Sequence, residues 1–121
     1  MVSLKNTTAL LFDAGNQTAR LVSFDGELHS LYHFLKCDMV DTIRLDRDHT
    51  IFVDDEGLWK DQDTGFRVRY KGRTVKFVGS GLLVGDVMGE TAPISLKFSD
   101  LDIEVIVYER PEDQAKEKEE I

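Results

Sequence analysis

The chain has one cysteine, Cys37, among 121 residues, so it can form neither an internal disulfide nor a multi-cysteine metal framework. Prolines number two, Pro93 and Pro111, and the first 92 residues are free of this breaker of helices and strands. No apolar run approaches the ~18 residues that a membrane-spanning helix requires. The opening MVSLKNTTALLF lacks the basic-then-apolar layout of a secretory signal. These absences predict a cytoplasmic protein with no membrane partner. Bases are the scarcer charge: 15 Lys and Arg stand against 23 Asp and Glu, for a net charge of −8. That balance argues against a protein coating DNA or an anionic membrane with its whole surface.

What is present is enough for one core. A chain of this length buries about two-thirds of its unfolded surface, without needing metal or disulfide support. An apolar fraction of 41% beside 31% charged residues fits a folded domain. The charge is unevenly spread. Residues 38–63 hold nine acids and three bases, whereas 64–78 hold Arg67, Arg69, Lys71, Arg73 and Lys76 with no acid. An acidic body with one basic ribbon is the main electrostatic statement of this sequence.

The hydrophobic pattern predicts an α+β domain over residues 1–109, followed by a charged, frayed tail over 110–121. Residues 8–13 and 18–24 read as strands joined by the turn Ala14-Gly15-Asn16-Gln17. Asp25 is a good N-cap, and Leu28, Leu31, Tyr32 and Leu35 recur at helical spacing, which predicts an amphipathic helix over about 26–36. Val40–Leu45 and Thr50–Val53 form a second hairpin, and Leu58-Trp59 an aromatic anchor at the core edge. The alternation of 66–70 and 74–77 around Lys71-Gly72 is the clearest hairpin signal. Leu82–Val84, Ile94–Phe98 and 100–108 complete the set. The helix is expected to pack on one mainly antiparallel, curled sheet of about six or seven short strands.

Several residue groups carry possible chemistry. Asp54, Asp55, Glu56, Asp61 and Asp63 form an acidic cluster that can serve as a solvated face, a cation site or a partner-binding surface imitating phosphates. Arg67 and Arg69 share a strand face, and with Tyr70 and Lys76 they form a candidate grip for an anionic ligand. Surface ion pairing accounts for the same bases. His29, His33 and Cys37 stand at i, i+4 and i+8, but about 12 Å of helix separates the outer two, too far for one ion to reach all three. Gly79-Ser80-Gly81 and Gly85 surround an apolar run that continues as strand, unlike a phosphate-binding turn that opens a helix. No nucleophile motif is present. The sequence therefore implies no catalytic residues, no metal and no cofactor.

The order of segments from Leu21 onward carries a resemblance. Asp25-Gly26, Asp55-Glu56-Gly57 and Gly81-Leu82-Leu83-Val84-Gly85 match stations of an uncharacterised small-domain family encoded mainly by bacteriophages, plasmids and conjugative elements. The overlap spans about residues 20–90. Trp59 and KDQDTGF replace the family's asparagine-containing loop, and the basic hairpin and IEVIVY are particular to this chain. The resemblance implies a mobile-element accessory protein that works inside a bacterial cell by binding host factors, and brings no catalytic residues.

The resulting expectation is a non-enzymatic protein that engages a host defence or nucleic-acid-handling protein through its acidic surface, as an inhibitor. The alternatives are a small anionic ligand such as a nucleotide, or nucleic acid, held by hairpin 66–76. A homodimer formed through the edge at 101–108 is a further expectation.

Overall fold

The apolar run Leu82-Leu83-Val84 does not alternate because its strand is buried on both faces. That strand organises the fold in the computed structural model, which describes residues 7–55 and 64–107. In chain order the elements are β1 (Thr7–Asp13), β2 (Thr18–Phe24), α1 (Leu28–Leu35), β3 (Val40–Asp46), β4 (His49–Asp54), β5 (Thr64–Tyr70), β6 (Arg73–Val78), β7 (Gly81–Val87), β8 (Glu90–Ala92) and β9 (Leu101–Val107). The larger sheet has the order β2-β1-β7-β4-β3, with the short β8 paired to β7. The smaller sheet has the order β6-β5-β9. All pairings are antiparallel.

The molecule is a three-layer stack. Between the two sheets lie Leu10, Phe12, Leu45, Ile51 and Leu83 from the larger sheet and Phe66, Val68, Tyr70, Val75 and Phe77 from the smaller. Phe12, Phe66 and Phe77 form a triangle of rings with centroids 5.3, 5.5 and 5.7 Å apart. On the other face of the larger sheet, α1 places Leu31 and Leu35 over Ala9, Leu11, Leu82 and Val84. β1 and β7 thus supply alternate residues to two cores.

The two outer hairpins and the β5–β6 hairpin fall where the sequence places them. Lys71 and Gly72 both have positive φ, +47° and +82°, the conformation required by a tight two-residue hairpin turn. Four expectations are corrected. The strands form two sheets, not one curled sheet, because β5–β6 carries its own apolar face and packs it across the core. There are nine strands among the described residues. Residues 94–98 are not a strand: Ile94 and Leu96 pack on the core from an irregular segment, and a 3-10 turn, Phe98–Asp100, leads into β9. The helix is shorter than 26–36. Glu27 is its N-cap, and Asp25 instead accepts hydrogen bonds from the Glu27 amide (2.9 Å) and the Ser30 hydroxyl (2.9 Å). Leu28, at the first turn, is exposed, and Phe34 joins the core cluster instead. The Leu58-Trp59 anchor and the 110–121 tail lie outside the described residues.

Gly85 shows how tightly β7 is held. A Cβ there would lie 2.4 Å from the Pro93 carbonyl oxygen and 2.6 Å from that of Ala92, both backbone atoms that cannot swing away. Gly85→Ala is expected to destabilise the protein by about 1–3 kcal/mol in urea unfolding. Gly15→Ala is the control, because its Cβ meets only the Asp13 carboxylate at an ordinary 3.5 Å.

Candidate functional site

The acidic cluster divides in the folded chain. Asp54 ends β4 opposite Val40 and is only 5% exposed, so it is not part of a contact surface. β4 is covered on both faces through Asp54, and the chain turns out of the strand at Asp55. Asp55 is exposed, and its amide donates to the Met39 carbonyl at 3.0 Å. Glu56, Asp61 and Asp63 lie outside the described residues. The bond from Asp55 brings a different set of acids together. Asp38 and Asp41 are exposed on the approach to and start of β3, and Met39 between them is 55% exposed. The available sequence signal was Asp-Met-Val-Asp, a large apolar side chain set between two acids.

This group sits at a sheet edge. β3 is the last strand of the larger sheet, bonded to β4 on one side, and no described element pairs with its other side. Exposed Asp38 and Asp41 flank the exposed Met39 in sequence, and the backbone bond from Asp55 brings a third exposed acid to the same stretch, a combination suited to a partner with cationic groups near an apolar contact.

The basic hairpin has the expected face but acquires an acidic neighbour. Arg67 and Lys76 are directly paired, as are Arg69 and Thr74. On the other side of β5, β9 sets Glu104 opposite Arg67 and Asp102 opposite Arg69. Arg67 donates to Glu104, and Arg69 stands 3.9 Å from Asp102. Tyr70, expected at the ligand grip, points the other way into the inter-sheet core. Period-2 geometry requires this, since Tyr70 shares its face with Phe66 and Val68. Arg73 is tied to the Arg44 carbonyl at 2.8 Å. Lys76 is exposed.

Other candidates are less convergent. Among the described residues, no three His, Cys, Asp or Glu side chains come together to hold a metal ion. His29 and His33 are exposed and line an open cleft of about 660 Å³ with Ser23, Asp25, Ser30 and Phe34. Asp25 is held below the usual carboxylate range, first by the Glu27 amide and then by the Ser30 hydroxyl. Gly81 and Gly85 lie within β7, where the chain continues as strand. Among the described residues, no helix is long and apolar enough to cross a membrane.

His49, between the strand runs expected at 40–45 and 50–53, is a buried polar group that no local pattern in the sequence signals. It is 3% exposed. Its Nδ1 meets Asp46 Oδ1 at 2.9 Å, while its Nε2 accepts the Ser95 amide at 3.0 Å. The Ser95 hydroxyl lies farther away, 3.3 Å from Nε2. The carboxylate–imidazole–serine series looks like a hydrolytic triad, but the backbone N–H occupies the lone pair that a general base would use. Its effect is to pin the irregular segment after β8 to the start of β4. Burial pushes the Asp46 carboxyl up, and hydrogen bonds from His49 and the Asp48 amide outweigh it, so the net shift is downward.

Two outcomes test this electrostatic framework. His49→Phe should leave the Ser95 amide without its acceptor, at a cost of about 1–3 kcal/mol, with faster hydrogen exchange at Ser95. Asp13 accepts from Arg20 at 2.7 Å, which, with Asn16, holds its carboxyl at about 2, against an ordinary 3.8. A depressed carboxylate stabilises the fold above its unfolded value, and that contribution is lost as pH falls toward the folded one. Asp13→Asn should therefore lower stability at neutral pH and reduce the loss between pH 3.8 and about 2, as followed by urea midpoints.

No curated protein and no solved structure matches the chain. A family pattern does, over residues 7–106, which takes in every described strand except the last residue of β9. The expected kinship with an uncharacterised small-domain family therefore holds, and the chain belongs to the family described as a domain of unknown function, DUF3846.

Proposed function

We propose that the protein is a non-enzymatic binding module, of the kind carried by phages and other mobile elements, that engages a host protein through the acidic edge at β3. The observation that carries this reading is the joint exposure of Asp38, Met39, Asp41 and Asp55 at β3, an outer strand with no described strand against its other side. In sequence, the acidic stretch continues through Glu56, Asp61 and Asp63. Carboxylates arranged in this way resemble a short length of nucleic-acid backbone in charge, so the partner is a host defence or nucleic-acid-handling protein with a basic groove. Met39 supplies the apolar contact that distinguishes this partner from other basic surfaces.

The same geometry gives less support to the alternatives, a small anion such as a nucleotide or nucleic acid on hairpin 66–76. Arg67 and Arg69 already face Glu104 and Asp102, and Tyr70 is in the core.

The test is capture of a partner from the bacterial host by tagged protein, followed by titration of the purified pair. Asp38→Asn with Asp41→Asn and Asp55→Asn should weaken the complex by about tenfold or more and flatten its salt dependence. Met39→Ala alone should weaken it without changing that dependence. A complex of unchanged affinity in the triple variant would falsify the acidic edge as the contact.

A further inference from the structure

The sheets have four long outer strands, and three carry features that discourage pairing with another chain. β2 has Arg20, β3 has Arg44 with a register irregularity between Arg44 and Asp46, and β6 has Arg73 and Lys76. Basic residues, inserted irregularities and prolines are the usual protection of a sheet edge. β9 has no basic residue, irregularity or proline, and its two acids, Asp102 and Glu104, stand opposite Arg69 and Arg67 of β5. It pairs with β5 over seven consecutive residues without a shift, leaving a straight outer edge with no described strand against it.

Its side chains are also arranged for a neighbour. The residues on the core side are Leu101, Ile103, Val105 and Val107, with exposure rising to 37% at Val105 and 65% at Val107. The apolar face thus runs past the core it belongs to. The two acids on the opposite face are engaged by the arginines of β5, so the edge does not carry uncompensated charge.

We propose that β9 is a homodimer interface, in which it pairs antiparallel with β9 of a second copy around a twofold axis at Val105. A twofold normal to a sheet pairs residues of the same parity, because side chains must stay on their own face. With the axis at Glu104, that acid would oppose its own copy. With the axis at Ile103, Asp102 would oppose Glu104. Like charges directly opposite one another are destabilising. The axis at Val105 opposes Ile103 to Val107, Glu104 to Ile106, and Val105 to itself, and is the longest register within β9 without a like-charge pair. The product is a continuous six-stranded sheet, β6-β5-β9-β9-β5-β6, whose core side gains a closed apolar strip. This interface is distinct from the acidic edge at β3, so the dimer presents two such edges and binds a repetitive or dimeric partner with added avidity.

Sedimentation velocity over a range of micromolar concentrations tests the proposal, with a species of twice the chain mass expected. Val105→Lys places two like charges on the axis and should give a monomer with cooperative unfolding. Val107→Lys is the second variant, since that side chain lies outside the core, and it should weaken the dimer at least tenfold. Val105→Cys should form a disulfide-linked dimer under mild oxidation, as expected for a residue facing its own copy. A monomer at every concentration overturns the proposal, as does a dimer insensitive to both lysine variants. Failure of Val105→Cys to cross-link overturns the register.

Discussion

The structure depends on β7 being apolar on both faces. Leu83 points into the core between the sheets, while Leu82 and Val84 point under the helix. Both cores therefore converge on three consecutive residues. The strand is also hydrogen-bonded on both sides, to β1 and to β4, and near its end to β8. Such a strand allows little variation in volume. The contacts that a Cβ would make at Gly81 with Phe77, and at Gly85 with the Pro93 carbonyl, show that the packing extends to its backbone. Displacing β7 would separate α1 from the larger sheet and the larger sheet from the smaller one. The acidic edge and the basic hairpin are positioned by elements that rest, directly or through one neighbour, on this strand.

β4 connects β7 to the acidic edge. It lies between β7 and β3, and its last residue, Asp54, is buried while Asp55 emerges beside Met39. Asp54 is still within the strand covered on both faces, whereas Asp55 and Asp38 lie beyond the strand ends and Asp41 on the outer strand. At the other end of β4, His49 holds the segment that leads to β9. One strand thus couples the acidic edge proposed for partner binding with the placement of the small sheet's outer strand. The basic hairpin, the most prominent local feature of the sequence, has a different part in this arrangement. Its arginines balance the acids of β9, and its apolar face closes the core.

Local signals were legible where they depended on neighbouring residues. Lys71-Gly72 between alternating runs identified its hairpin, and Leu31 and Leu35 identified the buried stripe of α1. The unbroken apolar run at 82–84 marked a buried strand. The division into two sheets was not legible, because no local pattern states which sheet a strand joins. The run 94–98 has strand-like composition, but only Ile94 and Leu96 are used, as anchors on the core, and the backbone there is irregular. For the candidate sites, charge density along the chain identified the acidic region without identifying its exposed members. Asp38 and Asp41 join Asp55 only through pairing of β3 with β4. Asp102 and Glu104 lie more than 30 positions from Arg69 and Arg67, and only the β5–β9 pairing brings them together. The Asp46–His49–Ser95 series has the same origin, since its serine comes from a distant segment.

The most direct test of the acidic edge as the contact surface is zero-length carbodiimide coupling of the complex, with the joined peptides located by mass spectrometry. This reagent links a carboxylate only to an amine in contact with it. If β3 is the contact, Asp38, Asp41 or Asp55 is joined to a lysine of the partner. Joints confined to the acids of β9, or to partner carboxylates coupled with Lys71 or Lys76, would contradict it.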